Sequence, residues 1–137
     1  MLLPKFYYHE PATLEEALRL LSEMGGAARI LAGGTDVLVR MKLKIDKPSH
    51  LISLQKIPGI DVIIQRENHG VTIGAAVTAA ELSTNELILE RFAPIGIAAS
   101  RLGAPGIRNR ATIGGNLVNA RPAADLSPAC MALDATL

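Results

Sequence analysis

The sequence predicts an α+β fold in two subdomains, and three observations carry that prediction. Two Thr-x-x-Glu capping signatures, Thr13 with Glu16 and Thr78 with Glu81, each open a helix. Short apolar runs, such as residues 29–32 and 51–54, read as buried strands between the helices. The stretch 55–59 carries Pro58 and Gly59 and breaks the chain, dividing it into subdomains 1–56 and 57–137.

Taken in order, residues 6–9 read as a short strand ended by Pro11. In the first capping box the Thr13 hydroxyl takes the Glu16 N–H, and the Glu16 carboxylate reaches back to Thr13. Leu14, Ala17, Leu18 and Leu21 follow at helical spacing and predict one buried face, closed by Gly25 and Gly26. Residues 29–32 form a strand that runs straight into the turn Leu31-Ala32-Gly33-Gly34-Thr35-Asp36. Residues 35–42 then read as a helix with Val37, Leu38 and Met41 inward. After Pro48 comes the strand 51–54. Residues 61–65 and 71–74 make a hairpin. The Thr78 box opens one short helix and residues 85–89 another. Ile95, Ala98, Ala99 and Leu102 predict a further helix that stops at Gly103, with Pro105 beyond it. Residues 104–110 read as a loop and 119–125 as a polar loop. A helix is expected over 127–133 and an incipient strand over 134–137. Two hairpin strands and one incipient strand leave sheet edges uncovered, so the reading is of a fragment, or of a chain completed by a partner.

Composition removes several classes of function. Hydrophobic residues make up 49% of 137 residues, enough for a core and against disorder. A net charge of +1 gives no electrostatic case for nucleic acid or a membrane surface. No apolar run approaches the ~20 residues that span a bilayer. The first residues lack the apolar region of a signal peptide, which makes the expected location cytoplasmic. The single cysteine, Cys130, rules out an internal disulfide and any cysteine-ligated cluster. Cys130 sits among Ala129, Met131 and Ala132 and reads as a small buried hydrophobe. Aromatic residues are limited to Phe6, Tyr7, Tyr8 and Phe92.

Two glycine pairs stand out. Gly33-Gly34 follows a strand and precedes a helix, the arrangement that aims N–H groups and a positive dipole end at an anion. Gly114-Gly115 lies in Arg110-Ala111-Thr112-Ile113-Gly114-Gly115-Asn116. Glycine lets backbone approach a ligand closely and tolerates positive φ, and successive N–H groups in such turns form anion-binding concavities. Two of them suit a ligand with a long polar spine, such as a pyrophosphate-bearing dinucleotide. Each pair also has a plain reading. Gly33-Gly34 can be a tight turn and Gly114-Gly115 a bulge in a strand. Thr35 can donate to a phosphate oxygen. Asp36 repels one and belongs in a first helical turn with its side chain turned aside. Asn116 can cap its turn. Asp125 can cap the next helix or accept from ligand hydroxyls. Arg108, Arg110 and Arg121 read as solvated or interfacial. The nucleotide motifs GxGxxG and GxxxxGK[ST] are absent, as are HExxH and GxSxG. His9, His50 and His69 are isolated in sequence and read as surface or turn residues.

Leu31 to Asp36 (LAGGTD), the run GIRNRATIGGN and the downstream PAADLSPA together resemble the FAD-binding subunit of molybdenum hydroxylases. That family includes the medium subunit of aerobic carbon monoxide dehydrogenase and the flavin part of xanthine dehydrogenase. The opening FYYHEPATLEEALRLL is similar to the family's N-terminus, so the resemblance covers essentially the whole chain. It implies a two-subdomain α+β FAD-binding fold, truncated here in the second subdomain, because family subunits run well past this end. It implies that Leu31, Ala32, Gly33, Gly34, Thr35 and Asp36 wrap the FAD pyrophosphate. Thr112, Ile113, Gly114, Gly115 and Asn116 would lie along the pyrophosphate and the flavin end, and Asp125 would hydrogen-bond the cofactor. It implies no catalytic acid, base or nucleophile and no metal ligand on this chain. The molybdenum cofactor and 2Fe–2S clusters would sit on a molybdenum subunit and an iron–sulfur subunit, with electrons passing through FAD to an external acceptor. The missing C-terminal half of the flavin subunit would be a further partner. Two other functions fit the residues: a docking module that holds no flavin, and an unrelated protein whose glycine turns hold a mononucleotide.

Overall fold

The structure is a computed structural model that describes residues 2–122 and 124–137. It comprises two compact units, Met1–Gly59 and Ile60–Leu137.

The first unit contains β1 (Tyr7–His9), α1 (Leu14–Met24), a 3-10 turn over Gly25–Ala27, β2 (Ala28–Leu31), α2 (Val37–Lys42) and β3 (His50–Ser53). Its three strands form a parallel sheet in the order β1-β3-β2, with Tyr8 and Arg29 both opposite Leu51. The central strand reads Leu51, Ile52, Ser53, all buried, as expected for a parallel strand covered on both faces. Leu31, Met41 and Leu51 form a core against which Phe6, Val37 and Leu38 pack. Phe6 therefore belongs to the core and β1 starts one residue later than the sequence suggested.

α1 departs from expectation in two details. Thr13 accepts from the Glu16 N–H at 3.2 Å, but the Glu16 carboxylate reaches the Ala12 N–H at 3.0 Å, not that of Thr13. Leu14 and Leu18 are 50% and 56% exposed, and the covered stripe runs through Ala17, Leu20, Leu21 and Met24. The spacing was right and the phase was shifted, because a helix with apolar residues on both sides of the stripe does not announce which side meets the sheet. His9 and His50, separate in sequence, meet across β1 and β3: Nε2 and Nδ1 lie 3.0 Å apart, and Tyr7 stacks on His50. His69 is the turn residue expected of it, at φ +66°.

The second unit opens with the antiparallel hairpin β4 (Ile63–Gln65) and β5 (Val71–Ile73). Six short helices follow: α3 (Ala79–Thr84), α4 (Glu86–Arg91), α5 (Ala93–Arg101), α6 (Pro105–Arg108), α7 (Ile113–Asn119) and α8 (Leu126–Ala132). The Thr78 box is complete, with the Glu81 N–H on the Thr78 hydroxyl at 3.2 Å and the Thr78 N–H on the Glu81 carboxylate at 2.8 Å. Asn85 caps α4 through the Ile88 N–H. Val77, Leu82, Ile88, Ile113 and Leu126 lie at the centre of the core.

Three expectations fail in this unit. Residues 104–110 are not simply a loop, since Pro105 starts a helical turn where a missing N–H costs nothing. The Gly114-Gly115 pair is neither a turn nor a strand bulge but the first turn of α7, which runs on to Asn119 inside the expected polar loop. Residues 135–137 form no strand. Ala123, in that same polar loop, lies outside the described residues. Among the described residues no helix is long and apolar enough to cross a membrane.

Candidate functional site

The candidate residues fall into two groups, one in each unit. In the first unit, β2 ends at Leu31, buried against Met41 and Leu51, and the chain turns through Ala32–Asp36 before α2 begins at Val37. Gly34 adopts φ +79°, and a Cβ there would stand 3.1 Å from both the Leu31 and the Leu38 Cδ1 atoms. Both its conformation and its surroundings select glycine. The Gly34 carbonyl accepts the Leu38 N–H at 3.2 Å, which starts the helical ladder. The N–H groups of Gly33, Gly34 and Thr35 donate to no protein acceptor among the described residues. These three residues are half-buried, and backbone donors in such a setting are met by water or by a ligand acceptor where the chain supplies none. Asp36 makes no side-chain cap bond to α2 and is engaged elsewhere. It also adds to the field on Arg40. That guanidinium is held above its ordinary range first by its hydrogen bond to Asp46 and also by the Asp46 and Asp36 charges.

The second group is built differently. Thr112, buried and extended, caps α7 by accepting the Gly115 N–H at 3.1 Å. The Ile113 N–H donates to the Val77 carbonyl at 3.0 Å and the Gly114 N–H to the Ala75 carbonyl at 2.9 Å. Three of the first-turn donors that a helix start normally leaves open, those of Ile113, Gly114 and Gly115, are thus engaged inside the unit. Neither Gly114 nor Gly115 has positive φ. Gly114 is required by packing: a Cβ there would lie 2.7 Å from the Ala75 carbonyl oxygen and 2.8 Å from the Ala75 Cβ. The expectation that this pair offers a free N–H cradle at positive φ is therefore corrected. What remains accessible is the half-buried Asn116 and the exposed backbone of Gly115.

Asn116 and Asp125 are brought together at the start of α8. Asp125 occupies the N-cap position, yet its backbone is helical and its side chain makes no cap bond. The Asn116 Oδ1 accepts the Leu126 N–H instead, at 3.2 Å. Arg108 closes the end of α5, donating to the Leu102 and Gly103 carbonyls at 3.3 and 2.7 Å. Burial pushes the Cys130 thiol up, in keeping with a packing role. Sequence reasoning missed Ala75 and Val77, whose carbonyls hold the start of α7. The small residues Gly74, Ala75 and Ala76 were the available signal of a close backbone approach. Among the described residues, no group of three or more His, Cys, Asp or Glu side chains is placed to hold a metal ion.

Residues 4–137 match the family described as the FAD binding domain in molybdopterin dehydrogenase. The chain belongs to that family. FAD is the family's ligand, and its members are parts of oxidoreductases. Similar proteins within the family include the carbon monoxide dehydrogenase medium chain of Hydrogenophaga pseudoflava, 36% identical over 135 residues, or 98% of this chain and 47% of that one. The xanthine dehydrogenase FAD-binding subunit of Escherichia coli is 34% identical over 130 residues, 95% of this chain and 44% of that one. Among solved structures, reconstituted carbon monoxide dehydrogenase from Oligotropha carboxidovorans superimposes with a TM-score of 0.88 at 32% identity, covering 92% of this chain and 44% of that one. The chain thus spans less than half the length of these family relatives.

Proposed function

We propose that this chain binds FAD as part of the flavin subunit of a molybdenum hydroxylase-type oxidoreductase. The observation that carries the reading is the first glycine turn, whose Gly33, Gly34 and Thr35 N–H groups donate to no acceptor among the described residues, in a chain of a flavin-binding family. That donor set fits a pyrophosphate, which offers several oxygens to adjacent amides. The Thr35 hydroxyl adds a donor, and Leu31 and Ala32 hold the turn at the end of β2. Thr112, Ile113, Gly114, Gly115 and Asn116, in the second unit, are the further residues we assign to FAD binding. The Ile113, Gly114 and Gly115 amides are already engaged, so these residues act through the exposed Gly115 backbone and through side chains. Asp125 is exposed and accepts from cofactor hydroxyls.

FAD, when bound, accepts electrons one at a time and releases them as a pair. The chain's own part is to bind, orient and shield, and it supplies no acid, base or nucleophile. The electrons reach it from clusters on an iron–sulfur subunit, and substrate oxidation takes place on a molybdenum subunit. The same reading takes the location to be cytoplasmic. The reading is supported by the relatives' names, a medium chain and FAD-binding subunits.

The test is reconstitution. Purified protein incubated with FAD and freed of excess is expected to retain one flavin per chain, seen as the visible flavin absorbance. Gly34→Ala is expected to lower that retention. Protein that assembles with its partner subunits yet keeps no flavin overturns the proposal in favour of a docking module. Release of a mononucleotide on heating overturns it in favour of an unrelated nucleotide-binding protein.

A further inference from the structure

We infer that a groove in the first unit, between the segment before β1 and the end of α2, docks an acidic, leucine-bearing segment of a partner protein. Residues 2–6 carry no regular secondary structure. Leu3 and Phe6 tether them by packing against the core of Leu31, Met41 and Leu51. The Tyr7 N–H then donates to the Ser49 carbonyl at 2.8 Å as β1 begins. Between this segment, Lys42 and Ser49 lies a groove of about 960 Å³. A whole small ligand fills roughly 300–1,000 Å³, so the groove has room for several side chains of a peptide. Leu2, Leu3, Pro4 and Phe6 give it an apolar lining, and Leu2 is left 92% exposed. Tyr7 forms one wall and is held by stacking on His50, with ring centroids 5.2 Å apart. A fixed aromatic ring is a favoured anchor at protein interfaces.

Charge decides the occupant. The chain has five lysines, and Lys56 pairs with Glu10 at 3.0 Å. The other four gather here: Lys5 and Lys42 line the groove, and Lys44 and Lys47 follow in the turn after α2. Among the described residues none of these four makes an ion pair, and no carboxylate lines the groove. Asp46, which lies between Lys44 and Lys47 in sequence, is taken by Arg40. The Lys44 and Ile45 N–H groups close α2 on the Met41 and Arg40 carbonyls, both at 3.0 Å, with Lys44 at φ +59°. Glycine fills that left-handed position at least cost, yet the chain keeps a cation there. An apolar cleft rimmed by unpaired cations is complementary to leucine side chains flanked by carboxylates. A bilayer is a poorer match, because the apolar surface is a cleft and not a protruding helix face. The chain's own α1 has the matching chemistry, with Leu14 and Leu18 exposed beside Glu15. A groove-to-α1 contact between copies is heterologous, however, and would run on into a ring or an open chain. A different protein ends the contact at one pair.

The test titrates the full chain into a short fluorescent peptide of leucine pairs separated by glutamates, read by anisotropy. The same peptide with lysine for glutamate, and vesicles of anionic phospholipid, are the comparisons. The glutamate peptide is expected to bind, more weakly as salt is raised, and the lysine peptide is not. Amide NMR shifts on binding are expected to gather on residues 2–7 and 42–49. A double variant, Lys5→Glu with Lys42→Glu, checked for folding by circular dichroism, is expected to bind about tenfold more weakly, since two rim ion pairs give way to repulsion. Lys56→Glu is the control and is expected to bind within about twofold of wild type. No binding of the glutamate peptide up to about 1 mM, or equal binding by the double variant, overturns the inference. Tighter binding to the vesicles overturns it in favour of a membrane surface. Self-association of the chain alone, abolished in the double variant, overturns it in favour of a second copy.

Discussion

Replacing Gly114 by alanine separates packing from ligand binding at the second glycine pair. The added Cβ would sit 2.7 Å from the Ala75 carbonyl oxygen, 2.8 Å from the Ala75 Cβ and 3.2 Å from the Ala75 Cα. Two of these contacts are with backbone atoms, which cannot rotate away. Relief requires the start of α7 to retreat by about 0.5 Å, an overpacking strain on the order of 1–3 kcal/mol. The same retreat stretches the Gly114 N–H bond to the Ala75 carbonyl, now 2.9 Å, and its loss costs a further ~1–3 kcal/mol. Alanine returns about 1 kcal/mol as the better helix former. The net expectation is a loss of about 3 kcal/mol, a large part of a typical stability of roughly 5–15 kcal/mol. It corresponds to a fall in Tm of roughly 10 °C or more. Gly115→Ala is the control. Its Cβ meets only the Thr112 Oγ1, at 2.9 Å, so the risk is confined to a cap worth about 1 kcal/mol, offset by the same helix gain. Thermal unfolding of both variants without FAD decides the matter. A Gly114→Ala protein that melts with the wild type, or a Gly115→Ala protein that melts lower, would refute the packing argument.

Other outcomes follow from the same geometry. Gly34→Ala forces a side chain to φ +79° and against Leu31 and Leu38, so a loss of about 1–2 kcal/mol is expected in chemical denaturation. No measurable change would show that the turn relaxes freely. The Asp46 carboxyl is held below its ordinary range by its hydrogen bond from Arg40, with the Arg40 and Arg29 charges adding to it and desolvation opposing. Its stabilisation is therefore present above the ordinary carboxylate range and lost as pH falls through the lowered value. The Tm gap between wild type and Asp46→Asn should narrow on acidification; a gap unchanged down to about pH 2 would contradict the pairing. Cys130 is raised by desolvation, so its contribution is full below the unfolded thiol pKa and lost as pH rises through the folded value. Native protein should resist thiol labelling at mildly alkaline pH and react promptly in denaturant. Equal rates in both conditions would mean the thiol is open.

Sequence alone determined the features whose causes lie within one or two helical turns. The hydroxyl caps at Thr13 and Thr78, the Asn85 start of α4, and the stops at Gly25 and Gly103, both at φ +49°, each depend on residues within about four positions. The motif residues that carried the family resemblance were equally legible, because they are contiguous. Tertiary structure decided what distance in sequence conceals. Two adjacent glycines argue against a helix, yet α7 forms there because its first amides dock on Val77 and Ala75. Asp125 looked like a cap, and only the structure shows its backbone to be helical and its side chain to make no cap bond, while Asn116 meets the Leu126 N–H from ten residues away. His9 and His50 became partners through a parallel register that no local pattern encodes. Local signals fix backbone conformation, whereas which amides stay open to a ligand depends on what the rest of the chain brings against them.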